Sequence, residues 1–512
     1  MLIHDFIENS ANIHPDRVAL IHMDAQINYG ELNRRANGMA QFLCRSGVEK
    51  GDRVAIIMDS SINYVISYFA VLKAGGIVVA RNPVSSPIAE KGILINCTPK
   101  VIIIQAKHWH LIGDFVNELQ DLETVIIDGI SDKLELPSHI QPVNFPQIFA
   151  ENKGQSPEVA IEPNDAGMII YTSGTTGAPK GVVLSHKNLV ANTNSIIDYL
   201  ELTDKDKAMG VLPLTYAYGN SVLLTHMCVG GCVVIDNRFA FPSLILKIMA
   251  KEQVTGFAGV PSTFIILMNK SNFFNSKWDH LRYMTQAGGP MAPVTTQKIL
   301  EALPQVRLFV MYGQTEASAR LSYFEPALYP SKIGSIGKPI PGVTLTIRDE
   351  HGHVCPPGKT GEIVAQGDNI MTGYWLRPDE TAKVLRADGL HTNDLARTDE
   401  DGFIYVVGRR DDMIKSGANR ISPKEIEDII MTHPDVQEAV VLGIPDDLLG
   451  EKIKAIIVPK DGSKISENEI LKVCHKNLPL FKIPSLIEYR DSIPKSASGK
   501  VQRYLLAGKA LD

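Results

Sequence analysis

Between Tyr171 and Gly181 the chain reads YTSGTTGAPKG. The stretch brings together the hydroxylated side chains of Thr172, Ser173, Thr175 and Thr176, the glycines Gly174, Gly177 and Gly181, and the ammonium of Lys180. Glycines adopt positive φ readily and let bare backbone N–H groups approach a ligand. Hydroxyls, N–H groups and a lysine in one concave loop suit an anion, and this many donors suit a polyphosphate. Ile169-Ile170-Tyr171 reads as the end of a strand and Val182-Val183-Leu184 as the next strand, so the stretch is a hairpin loop. It does not have the G-x-x-x-x-G-K-[ST] spacing of a phosphate loop that opens a helix.

The elements that must hold this loop follow from the pattern on either side. The runs Val54–Met58, Val101–Ile104 and Val125–Ile127 are continuously apolar, and helices separate them, among them one from Tyr29 to about Ser46 and one from Tyr64 to Lys73 that stops at Gly75-Gly76. Unbroken apolar strands alternating with helices indicate a parallel sheet covered on both faces. Lys133–Pro157 is polar and proline-dotted and reads as a surface connection. The alternation resumes after the loop. Ser185 to Asn188 looks like a helix cap, Val233–Ile235 and Gly256–Val260 like strands, and Arg307–Tyr312 like a buried strand ending at Gly313. Ligands collect beyond the carboxyl ends of such strands, where Tyr312 to Glu316 stand. From 340 to 408 short alternating strands and frequent glycines suggest a small antiparallel barrel or sheet. The last hundred residues mix helices and strands in a compact α+β unit. The expected fold is therefore α/β: a large lobe of parallel sheets layered with helices over 1–408, a connector at 409–412, and a small domain over 413–512.

Composition narrows the function. A 512-residue chain with 44% hydrophobic and 21% charged residues is a soluble globular protein of more than one core. A net charge of −6 without a basic tract argues against nucleic acid as the main partner. The six cysteines form no C-x-x-C pair and fit free thiols in a reducing cytoplasm. No apolar run reaches the ~18 residues of a membrane span, and the N-terminus carries no secretory leader pattern.

Further motifs follow the loop in order: Ala287-Gly288-Gly289-Pro290, Tyr312-Gly313-Gln314-Thr315-Glu316, Thr392-Asn393-Asp394, Gly408-Arg409-Arg410-Asp411-Asp412-Met413-Ile414-Lys415 and Pro494-Lys495-Ser496-Ala497-Ser498-Gly499-Lys500. Together they resemble the signatures of the adenylate-forming superfamily, which includes acyl-CoA synthetases, luciferases and peptide-synthetase adenylation domains. The resemblance covers nearly the whole chain. It implies that a carboxylate attacks the α-phosphate of ATP and expels pyrophosphate, and that a pantetheine thiol then takes the acyl group. The resemblance makes Lys500 the bridge between carboxylate and α-phosphate, and Glu316 with Thr176 the holders of Mg²⁺. Thr175, Thr176 and Lys180 are expected on the β- and γ-phosphates, within an ATP site that also takes Thr172, Ser173, Gly174, Gly177, Gly288, Gly289, Pro290, Gly313, Gln314 and Thr315. Tyr312 is expected on adenine, Asp394 and Arg409 on the ribose, and Arg420 on the phosphates. Asp411 is the implied hinge about which the small domain turns, and Ser416, Gly417 and Ala418 the implied lining of the thiol tunnel.

The chain departs from the family at Asn393, where T-G-D is usual, and at Tyr216 within Pro213–Gly219, where many relatives carry histidine; a tyrosine can still donate a hydrogen bond to a carboxylate. No aspartate stands within Pro213–Met227 to pair with a substrate ammonium. The acid is therefore expected to be uncharged, aliphatic or aryl. CoA is the expected acceptor, with a separate acyl carrier protein as the alternative and a non-catalytic nucleotide sensor as a third reading; the chain is expected as a monomer or homodimer. His226 is expected in the core, and His351 and His353 in a turn rather than on a metal.

Overall fold

A computed structural model describes residues 1–129, 136–149, 154–172, 179–329, 331–417, 419–495, 499 and 501–506. Two large sheets face each other across a layer of helices. The first runs Gly373–Tyr374, Lys180–Ser185, Ala166–Thr172, Ile77–Arg81, Arg53–Ile57, Val101–Gln105, Thr124–Asp128 and Gln141–Asn144. From Ala166–Thr172 onward its neighbours are parallel, and the two strands at the other edge are antiparallel. The second sheet has Val18–His22, Cys232–Ile235, Lys207–Gly210, Gly256–Gly259, Tyr283–Gln286 and Arg307–Tyr312 in parallel, with short antiparallel strands at both edges.

One continuous core joins side chains of both sheets to the helices between them. The helix Ile62–Lys73 shows why that layer is possible. Every residue from Tyr64 to Lys73 is buried, as expected of a helix apolar on all sides and flanked on all sides by protein. It stops where Gly75 takes φ +77 and Gly76 N–H returns to the carbonyl of Val71 at 2.9 Å. The helix His186–Leu200 starts with the expected cap: Ser185 Oγ accepts from Asn188 N–H, and Asn188 Oδ1 accepts from Ser185 N–H.

A third, five-stranded antiparallel sheet of Val343–Arg348, Gly361–Gly367, Leu385–Arg386, Gly389–Thr398 and Ile404–Arg409 matches the change of texture after residue 340. The C-terminal unit has its own sheet of Ile414–Ser416, Asn419–Ile421, Val436–Asp446, Gly450–Pro459 and Leu486–Tyr489, with its own core under the helices Pro423–Ile430 and Glu467–Asn477.

The reading of 133–157 as plain connection is corrected at Gln141–Asn144, which pairs in parallel with Thr124–Ile127, and at the helical turn Phe145–Phe149. A proline and the exposure of Gln141, Pro142 and Asn144 mark an edge strand, in which only Val143 turns inward. Its pattern is too short and too polar to stand out in sequence.

One buried ion pair ties the first sheet to its covering helix. Arg81, at the carboxyl end of Ile77–Arg81, binds Glu90 through two parallel hydrogen bonds of 2.8 and 2.9 Å, and the Glu90 side chain is fully buried. The same guanidinium lies 5.6 Å from the ring centroid of Tyr171. Removing one partner strands a charge in the core, so Arg81→Met or Glu90→Met is expected to cost about 3–5 kcal/mol, and the double replacement much less than the sum. Urea unfolding midpoints of the two single variants and the double variant check this.

Candidate active site

The loop's two arms, Ala166–Thr172 and Lys180–Ser185, form the expected hairpin, with Thr172 opposite Lys180. Thr172 Oγ1 donates to the carbonyl of Lys180 at 3.5 Å. Ser173, Gly174, Thr175, Thr176 and Gly177 lie outside the described residues, as do Ala418 and Lys500. The ammonium of Lys180 pairs with Glu380 and stands 5.3 Å from the ring centroid of Tyr374. Lys180 holds the Glu380 carboxyl below the usual carboxylate range. Tyr374 in turn donates its hydroxyl to Glu316 Oε1 at 2.9 Å. Burial first, then the charge of Glu316, pushes the Tyr374 phenol up, so it stays a donor.

Glu316 sits in the short helical turn Thr315–Ala317 that follows the strand Arg307–Tyr312. The chain reverses there because Ser318 takes φ +61. Gly313 has no room for a side chain, since a Cβ would lie 2.1 Å from the carbonyl oxygen of Ala319. Tyr312 and Asp394, separated by 82 positions, meet: the tyrosine hydroxyl donates to Asp394 Oδ2 at 2.7 Å, and Arg409 Nε donates to Oδ1 at 3.2 Å. Burial and the neighbouring carboxylate raise the Tyr312 phenol well above its ordinary value.

Asn393, where the family usually has glycine, takes φ +62, a conformation that asparagine tolerates. Its side chain does something a glycine could not: Nδ2 donates to Asp411 Oδ2 at 2.6 Å. Its backbone N–H goes to Glu362 Oε1 at 3.0 Å, and Glu362 Oε2 takes Arg410 at 3.2 Å. The expected hinge residue is thus fastened to the sheet of the large lobe.

The turn Ala287–Pro290 lies beyond the strand Tyr283–Gln286, and Gln286 Nε2 donates to Gly289 O at 2.8 Å. Gly288, at φ +86, rests against Val260, with a built Cβ 3.1 Å from Val260 Cγ1. Gly499, beside Lys500 in sequence, reaches the same residue from the other side. Its φ is +80, and a built Cβ would stand 2.8 Å from Val260 Cγ2 and 3.2 Å from Ser262 Oγ. The tail that carries Gly499 is itself pinned. Lys495 and Val501 form an antiparallel bridge, Lys495 pairs with Glu438 at 2.6 Å, and Arg503 donates to Glu427 at 2.7 Å. A loop of the small domain therefore touches the wall of the large lobe at the carboxyl ends of its parallel strands.

The family model described as AMP-binding enzyme matches residues 7–375, and that of the AMP-binding enzyme C-terminal domain matches residues 425–500. The chain belongs to the AMP-binding enzyme family. It is an adenylate-forming enzyme and an acid–thiol ligase. It is 31% identical to a long-chain-fatty-acid–CoA ligase of Escherichia coli O6:H1, over 99% of this chain and 94% of that one. It is 32% identical to a feruloyl-CoA synthase of an Amycolatopsis species, over 96% and 95%. A crystal structure of an anthranilate CoA ligase in complex with anthranoyl-AMP superposes with a TM-score of 0.91 at 26% identity, over 99% and 96% of the two chains.

In this AMP-binding enzyme Tyr216 accepts a hydrogen bond from Asn82 Nδ2 at 3.0 Å, and burial raises its phenol. Arg420 is exposed on Asn419–Ile421, opposite Lys415, and makes no ion pair among the described residues. Gly417, at φ +58, donates its N–H to Leu449 O at 2.7 Å, beside Ser416 opposite Gly450. His226 is buried as expected, and His351 and His353 flank a turn held by Asp349. Sequence reading missed Asn82, Glu362, Tyr374 and Glu380. Asn82 had a usable signal, since it directly follows a parallel strand at its carboxyl end.

The contact at Val260 yields a sharp expectation. Gly499→Ala adds a Cβ where there is neither conformational nor steric room. ATP–pyrophosphate exchange is expected to fall about 10- to 100-fold, a loss of ~1.4–2.8 kcal/mol in the barrier. Adding Val260→Ala is expected to restore part of it, namely the steric share.

Proposed function

We propose that the chain activates a carboxylic acid lacking an ammonium group, aliphatic or aryl, and passes it to the thiol of CoA. A carboxylate oxygen attacks the α-phosphorus of ATP, the bond to the β-phosphate bridging oxygen breaks, and pyrophosphate leaves. The thiol sulfur then attacks the acyl carbon, its proton goes to solvent, and AMP leaves. The observation that carries this reading is the contact of Gly499 with Val260, because it sets the residue next to Lys500 on the wall that also bears the Gly288 turn.

In this reading Lys500 neutralises charge between the carboxylate and the α-phosphate, a step governed by positioning and electrostatics. Lys180, Thr175, Thr176 and Arg420 hold the outer phosphates. Asp394 accepts from the ribose hydroxyls with Arg409 beside it, and Tyr312 lines the adenine site with Gly288 and Gly289. Tyr216 and Asn82 face the acid's carboxylate. Glu316, with Thr176, suits Mg²⁺: one carboxylate oxygen accepts from Tyr374 and the other makes no hydrogen bond among the described residues, a donor set fit for a hard cation that keeps its waters. When bound, that ion neutralises phosphate charge. The domains divide at 1–408, 409–412 and 413–512. Rotation about Asp411 withdraws Lys500 and presents Ser416, Gly417 and Ala418 to the pantetheine arm. The six unpaired cysteines fit a reducing cytoplasm. Among the described residues no helix is long and apolar enough to cross a membrane.

Lys500→Ala is expected to lower acid-dependent pyrophosphate exchange by on the order of 100-fold or more while sparing thioester formation from supplied acyl-AMP; equal loss of both would refute the two-step assignment. Gly417→Leu is expected to do the converse, with exchange retained and thioester output blocked. Pyrophosphate release with a panel of fatty and aryl acids, repeated with CoA and with a holo-carrier protein, identifies the acceptor. No release with any acid would leave only the sensor reading.

A further inference from the structure

The short strand Gly373–Tyr374 runs along the edge of the first sheet, antiparallel to Lys180–Ser185, with Tyr374 opposite Val182. The chain around it is tied to two parts of the site at once. Met371 N–H donates to the carbonyl of Glu316 at 2.9 Å. Thr372 N–H goes to Val183 O at 3.0 Å, and Trp375 N–H to Gly181 O at 2.7 Å. Tyr374 N–H is held in turn by Thr381 Oγ1 at 2.9 Å, on the helix Pro378–Val384 that also carries Glu380. Residues 371–375 therefore stitch the turn that bears Glu316 to the outgoing arm of the loop.

The Tyr374 side chain joins the same two parts. Its hydroxyl donates to Glu316 Oε1 at 2.9 Å, and the Lys180 ammonium lies over its ring, 5.3 Å from the centroid. Tyr374 and Glu316 are both half-buried. A glutamate side chain turns about several bonds, and fixing it costs rotamer freedom. A donor that is itself held in place settles the orientation of the carboxylate beforehand. Tyr312 and Asp394 offer a contrast. There both carboxylate oxygens are taken, Oδ2 by the tyrosine and Oδ1 by Arg409. Glu316 accepts at Oε1, and its second oxygen makes no hydrogen bond among the described residues.

We infer that Tyr374 is a positioning residue for adenylate formation: its hydroxyl sets the Glu316 carboxylate for a divalent cation, and its ring seats Lys180 beside it. The assignment rests on the Mg²⁺ reading of Glu316 above and deepens it. A carboxylate that holds a hard cation with one oxygen binds better when an outer hydrogen bond fixes the other. The cation over the ring face is attracted as well, so one side chain sets the spacing between the cation's carboxylate and the loop's lysine.

The experiment titrates Mn²⁺ into the full chain with α,β-methylene-ATP, which cannot be cleaved between the α- and β-phosphorus atoms, and follows water-proton relaxation. Tyr374→Phe keeps the ring under Lys180. It is expected to weaken Mn²⁺ binding on the order of 10-fold, with metal-free binding of the same nucleotide in EDTA unchanged. Acid-dependent pyrophosphate exchange should then need more free Mg²⁺ for its half-maximal rate and recover most of that rate at saturating Mg²⁺. In a Glu316→Gln background Tyr374→Phe should have no further effect, because the group it positions is already gone. Replacing Tyr374 by para-aminophenylalanine restores a donor at the same ring position. It is expected to recover most of the Mn²⁺ affinity, and it serves where the phenylalanine variant folds poorly. Unchanged Mn²⁺ affinity in folded Tyr374→Phe, equal weakening of nucleotide binding with and without metal, or a loss that persists in the Glu316→Gln background would overturn the inference. Should Glu316→Gln alone leave Mn²⁺ affinity intact, the Mg²⁺ reading of Glu316 falls instead, and this one with it.

Discussion

The whole arrangement depends on a meeting of two bodies at Val260. That residue directly follows the parallel strand Gly256–Gly259 of the large lobe and is approached by Gly288 from one side and by Gly499 of the small domain from the other. Neither glycine leaves space for a side chain of ordinary size, and both take a positive φ. Packing this close is directional, and it fixes where the neighbouring residues of the tail can stand. The hydrophobic effect holds each lobe together. It does not align one lobe on the other, so alignment falls to a few close contacts and to the polar fastenings around Asn393, Glu362 and Asp411.

Those fastenings are modest. Asp411 is exposed and Asn393 half-buried, so their hydrogen bond competes with water and holds the hinge by on the order of 1 kcal/mol. A connection of that strength can be made and broken within a catalytic cycle. The Arg81–Glu90 pair, sealed from solvent, is of the opposite kind and belongs to the part of the molecule that stays still.

Sequence and structure agree where local pattern and tertiary demand coincide. The unbroken apolar runs at Val54–Ile57, Val101–Ile104 and Val125–Ile127 could only be interior strands, and the caps at Ser185 and Gly75 are where residue types require them. The family likeness and the enzyme class were legible from the ordered motifs. The edge strand Gln141–Asn144 was not, because an edge needs only one inward side chain. Nor could local pattern reveal partners distant along the chain. Glu380 meets Lys180 from 200 positions away, Asp394 meets Tyr312 from 82, and nothing in the short neighbourhood of Glu380 or Tyr374 advertises the encounter. Arg81 shows the same limit for burial, because its type suggests a surface charge and only the fold encloses it.

Lys180 already has an anion in Glu380. On the proposed reading an incoming triphosphate does not fill a vacancy; it evicts a tenant. Its apparent affinity is then a difference between two ion pairs, which changes at position 380 could tune without altering a single contact to the nucleotide. Such an arrangement also keeps a lone cation from trapping stray phosphate between turnovers.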